Sequence, residues 1–104
     1  MNFPVILNEF KRELRSLYGE RLKDVILFGS YARGEAHAGS DIDVMVVLRG
    51  DVAPGREIDY MIDVITELNL KYSVLLSVVP VAEDKYLRRN SPLLLNVRRE
   101  GVPA

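Results

Sequence analysis

Residues 24–48 read DVILFGSYARGEAHAGSDIDVMVVL, and the fold follows from how this stretch doubles back on itself. Lys23 to Phe28 is a short apolar run that stops at Gly29, which suits a strand. Ser30 to about Glu35 then makes a turn or short helix, and Ala36 to Ser40 forms a loop of small residues. Asp41 to Leu48 is a second strand, with Asp41, Asp43, Met45 and Val47 on one face and Ile42, Val44, Val46 and Leu48 on the other. Beyond the aspartates both faces are apolar, as in a central strand covered on both sides.

Chemistry concentrates in the same stretch. Gly29 has no side chain to keep a phosphate from the backbone, and Ser30 offers a hydroxyl and an N-cap with free amides behind it. Arg33, about one helical turn on, can add a cation to the same pocket. Asp41 and Asp43 are paired carboxylates at a strand start, the hard oxygen donors that suit Mg²⁺ together with waters and substrate phosphates. In a two-metal site, ions about 3.5–4 Å apart activate the attacking oxygen and steady the leaving group. With Gly29 and Ser30 on the β and γ phosphates and Asp41 and Asp43 on the metal, the pattern points to nucleotidyl transfer from an NTP. His37, the only histidine, reads as a loop residue.

Outward from this centre, Ile6, Leu7, Phe10, Leu14 and Leu17 recur at helical spacing, so a first helix is expected from Pro4 to Tyr18 with a solvated charged face. Arg49 to Gly55 is a connector, and Ile58, Met61, Ile62, Ile65 and Leu68 predict an amphipathic helix over 56–69. A third strand is expected over Tyr72 to Val79, ended by Pro80. A short helix over 83–89 follows, and Ser91-Pro92 opens a last one that closes at Gly101. This order implies an α/β fold, an open sheet of about three strands packed with helices.

The 104 residues are expected to form one domain, 1–104. A net charge of −1 gives no bulk attraction to nucleic acid or membrane, so direct nucleic-acid binding is disfavoured. The absence of cysteine excludes disulfides and thiolate metal sites and favours a cytoplasmic protein. No apolar run approaches the roughly 20 residues of a spanning helix, and residues 1–4 lack the build of an export signal.

The string GSYARGEAHAGSDID, residues 29–43, resembles the signature of the polymerase-beta-type nucleotidyltransferase superfamily. The whole chain, including NVRREG at 96–101, is similar to the stand-alone minimal nucleotidyltransferases. The resemblance implies a mixed sheet of strand order 1-2-3, Gly29, Ser30 and Arg33 at the triphosphate, and Asp41 and Asp43 as catalytic Mg²⁺ ligands. It implies transfer of AMP from ATP to a hydroxyl on a partner protein, a helical HEPN-type protein in a toxin-antitoxin pair. The family's third carboxylate belongs on the strand beside Asp41-x-Asp43. Here Ser73 is the matching position, and no Asp or Glu occurs between Lys71 and Ala82. Serine is a weak Mg²⁺ ligand and no base at neutral pH. Asp51, Asp59, Asp63 or Glu35 would have to substitute, and no spacing favours any one of them. The alternative is a catalytically weak module that acts by binding its partner. A homodimer or hetero-complex would cover the apolar edge of strand three.

Overall fold

The computed structural model describes residues 3–37 and 39–104. Ala38 of the small-residue loop, and Met1 and Asn2 of the segment read as lacking an export signal, lie outside them. The order of elements is helix α1 (Phe3–Tyr18), a 3₁₀ turn (Gly19–Arg21), strand β1 (Leu22–Phe28), the one-turn helix α2 (Gly29–Ala32), strand β2 (Ile42–Leu48) and helix α3 (Pro54–Tyr72). Strand β3 (Leu76–Ala82), helix α4 (Glu83–Arg88), helix α5 (Pro92–Glu100) and the two-residue strand β4 (Val102–Pro103) complete it.

The strands form one mixed sheet in the order β3-β2-β1-β4. The expected 1-2-3 order holds, and β4 adds a short fourth strand antiparallel to β1. β1 and β2 are antiparallel, with Phe28 opposite Asp43 at one end and Leu22 opposite Leu48 at the other. β2 and β3 are parallel, which requires a crossover between them, and α3 supplies it.

Alternation along β2 divides the core into two layers. Val25, Leu27, Ile42, Val44, Val46 and Leu48 meet Ile6, Phe10 and Leu14 of α1 and Met61, Ile65 and Leu68 of α3. On the other face Ile26, Met45 and Val47 pack against Leu94 and Val97 of α5, with Phe28, Val79 and Tyr86 half-buried around them. Ser91 caps α5, its hydroxyl accepting from the Leu94 amide at 3.2 Å, and Pro92 sits in the first turn as expected.

The third strand departs from its expected bounds. Residues 70–72 continue α3, and Ser73 is its C-cap in the left-handed region at φ 53°. The strand begins at Leu76 and runs through Pro80 to Ala82. The β-branched pattern of YSVLLSVV is overridden by tertiary anchors. Lys71 Nζ and Tyr72 Oη both donate to Glu9 Oε1 of α1, at 2.9 and 3.0 Å, and Asn69 Oδ1 accepts from the Leu76 amide at 2.9 Å. Pro80 is tolerated inside β3 because the strand lies at the sheet edge.

Candidate active site

The β1–α2 turn and the start of β2 meet at one end of the sheet because Phe28 pairs with Asp43. Gly29 has φ +72°, and a Cβ added to it would lie 3.0 Å from Asp43 Cγ and collide with Oδ2. Two independent requirements, left-handed backbone and room for a carboxylate, therefore converge on glycine. Gly29→Ala is expected to destabilise the fold by about 1–3 kcal/mol and to displace Asp43. Chemical denaturation read beside nucleotide binding checks both effects.

Ser30 is not the N-cap that its sequence context suggests. α2 starts one residue earlier, and its N-cap is Phe28, which makes no side-chain capping bond. The Ser30 carbonyl instead accepts from the Glu35 amide at 2.9 Å, and the Gly29 carbonyl from the Arg33 amide at 3.2 Å. The turn is thus closed by its own backbone. Arg33 lies at its C-terminal end, its Nε 3.1 Å from Glu35 Oε2 and its Nη1 3.8 Å from Glu100 Oε2. Neither glutamate was singled out in the sequence as a neighbour of Arg33. Both pairs are exposed and worth little, so the guanidinium can be recruited by an incoming anion.

Asp41 is exposed and just precedes β2, while Asp43 is half-buried on the face shared with Met45 and Val47. The loop before them is pinned by the His37 amide donating to Ser40 Oγ at 3.0 Å and the Ser40 amide donating to the His37 carbonyl at 2.9 Å. Burial pushes the Asp43 carboxyl above the usual carboxylate range, the Asp41 charge adds to this, and the Arg33 charge opposes it. A half-buried carboxylate raised by burial and by a neighbouring negative charge suits a site that receives a cation.

Ser73, capping α3, does not face this site from a strand. The β2–β3 register instead puts Ser77 directly opposite Asp43, so the side chains of Phe28, Asp43 and Ser77 lie on one face. The place beside the carboxylate pair is again a serine, one reached only through the corrected start of β3. Among the described residues, no three His, Cys, Asp or Glu side chains form a metal-holding group. Neither Asp51, Asp59 and Asp63 nor Glu35 supplies the missing acid. The donor set fits a single Mg²⁺ completed by water and phosphate oxygens.

A cavity of about 600 Å³ lies at the opposite end of the sheet, lined by residues including Tyr18, Arg21, Glu57 and Tyr60. Its buried acid is already engaged. Glu57 is buried, accepts from Tyr18 Oη at 2.9 Å and lies 3.6 Å from Arg21 Nη2. This cluster ties α1 to the first turn of α3, and sequence periodicity gave no sign of it.

Comparison with known proteins agrees with this arrangement. Residues 7–94 match the family model for the nucleotidyltransferase domain. The chain is 41% identical over 102 residues to a Methanocaldococcus jannaschii protein provisionally named a protein adenylyltransferase, MJ0604, covering 97% of this chain and 96% of that one. A second protein of that organism with the same provisional description, MJ0141, is 35% identical over 88 residues, 85% of this chain and 86% of its own. A crystal structure of a toxin-antitoxin with AMP-PNP superposes with a TM-score of 0.65 at 26% identity, over 92% of this chain and 69% of that one. Family match, relatives and fold agree, and the chain belongs to the nucleotidyltransferase domain family.

Proposed function

We propose that this protein transfers AMP from ATP to a hydroxyl of a partner protein, with Mg²⁺ held by Asp41 and Asp43. The observation that carries the reading is the packing of Gly29 against Asp43, which sets a phosphate-accepting turn against a carboxylate pair. Adenylyl transfer to a protein is supported by the names of MJ0604 and MJ0141. A partner in a toxin-antitoxin pair is supported by the fold match to a toxin-antitoxin with AMP-PNP, and its being a helical HEPN-type protein is what the resemblance to the minimal nucleotidyltransferases implies. The cysteine-free sequence supports a cytoplasmic setting, and its length of 104 residues supports a single domain over 1–104.

In this reading Gly29 lets the triphosphate approach the backbone, and the Ser30 hydroxyl donates to a phosphate oxygen. Arg33 turns from Glu35 and Glu100 toward the same anion. Bound Mg²⁺ would supply charge neutralisation of the triphosphate. The acceptor oxygen forms a bond to the α-phosphorus, the bond to pyrophosphate breaks, and the acceptor proton passes to solvent. Incubation with α-labelled ATP, Mg²⁺ and the protein encoded beside it should label that partner. No label, and no difference between wild type and Asp43→Ala, would sink the reading.

A second reading rests on Ser77. With serine opposite Asp43, the protein can be a nucleotidyltransferase-fold module that neutralises its partner by contact alone. Partner inhibition should then survive Asp41→Ala combined with Asp43→Ala. Ser77→Asp is expected to tighten Mg²⁺ binding by about tenfold, since a third carboxylate is a much better ligand than a hydroxyl. Calorimetric titration checks it, and unchanged affinity would show that residue 77 does not face the ion.

A further inference from the structure

Between Lys85 and Arg99 the chain holds five cations, Lys85, Arg88, Arg89, Arg98 and Arg99, and no carboxylate. Glu83 and Asp84 open α4 and Glu100 closes α5, so the two helices with their connection, residues 83–100, carry +2 in a chain of net charge −1, with the cations grouped at the α4–α5 junction and on α5. Lys85, Arg88, Arg89 and Arg99 are exposed. Arg88 pairs with Asp84 at 3.1 Å, with side chains 80% and 73% exposed, a contact too wet to neutralise it. Arg98 spends its donors on the carbonyls of Tyr86 and Arg89 and on Asn90 Oδ1. It fixes the α4–α5 connection while keeping its charge.

Leucines are set among these cations. Leu87 is 63% exposed, Leu93 42% and Leu95 44%, and Leu95, Arg98 and Arg99 line a depression of about 440 Å³. Leu93 and Leu95 are two apart on α5 and flank it on different sides; Leu95 beside Arg98 and Arg99 is the apolar site rimmed by arginine, the make-up of a protein interface. RNA would use the cations but leave Leu95 in water, and no aromatic side chain is exposed among the described residues of this stretch for bases to stack on. The face also adjoins the crevice. α5 packs through Leu94 and Val97 on the sheet face that carries Asp43, and Glu100 at its end reaches Arg33.

We propose that the α4–α5 face is a docking surface for an acidic protein segment with an apolar stripe, which brings the acceptor hydroxyl to Asp41 and Asp43. The delivery of an acceptor rests on the adenylyl-transfer reading; the docking itself does not. The test uses a fluorescein-labelled amphipathic peptide with leucine on one face and glutamate on the other, read by anisotropy. Wild type and the Asp41→Ala, Asp43→Ala double variant should bind it equally. Glutamine for glutamate, or serine for leucine, in the peptide should weaken binding. Arg88→Glu with Arg99→Glu should weaken it about tenfold or more, with an unchanged circular dichroism melt. Should that variant misfold, salt titration of wild type decides instead: affinity for the glutamate peptide must fall with salt, and that for the glutamine peptide must not. The proposal is overturned by no binding to wild type, by charge reversal without effect, or by tighter binding of an oligouridylate. Light scattering that shows wild-type self-association lost in the reversed variant would also overturn it, assigning the face to a second copy of the chain. Loss of labelling with docking intact would count against adenylyl transfer only.

Discussion

Asp43→Asn is expected to lower AMP transfer by about a thousandfold, the scale of losing a central electrostatic group in a transferase site, while leaving the nucleotide-free protein at least as stable as wild type. Both halves come from the same environment. Asp43 is half-buried opposite Phe28 and Ser77, and an amide of the same size keeps that packing while losing the charge that holds a cation. Its carboxyl is raised by burial and by Asp41, so ionising it costs folding free energy. An acid whose folded pKa lies above its unfolded value leaves stability untouched below the unfolded pKa and subtracts from it as pH rises through the folded pKa. The melting temperature of Asp43→Asn should therefore exceed that of wild type at neutral pH, and the two should converge on acidification. Transfer assays and thermal melts over pH check the pair; a variant that loses activity and stability together would mean that Asp43 is structural.

Phe10→Ala tests the opposite side of the molecule. Phe10 is fully buried where α1 meets the sheet and α3, and truncating a phenylalanine in a closed core costs about 3–5 kcal/mol. Against a total of about 5–15 kcal/mol for a small protein, that is a large share. Urea denaturation should show the midpoint moving down with little change in slope. Transfer by the folded fraction should keep the wild-type dependence on nucleotide, because Phe10 packs beneath the sheet face that does not carry Asp43.

Much of the crevice was legible because local chemistry dictates it. A strand that stops at Gly-Ser and another that opens with Asp-x-Asp can be read from alternation and turn residues, and Phe28 and Asp43 do meet. The α1 periodicity likewise returns its buried face of Ile6, Phe10 and Leu14. What could not be read depends on partners distant in sequence. Tyr72 and Ser73 look strand-like until Glu9, more than 60 residues earlier, holds the end of α3, and that displacement moves the residue beside Asp43 from 73 to 77. β4 is two residues long and has no period to detect. Glu57 looks like another helix-surface acid until Tyr18 and Arg21 surround it. Arg33's pairing with Glu100 joins a turn to a helix 67 positions further on.

Pro80 lies in the outermost strand of the sheet. A proline supplies no amide hydrogen to an incoming chain, so the ladder that would let a foreign strand lengthen the sheet is interrupted within β3. Two molecules meeting edge to edge cannot zip into a continuous fibre along this border. A protein that leaves leucines in water for a chosen associate thereby keeps its most promiscuous adhesive, the bare backbone, out of use.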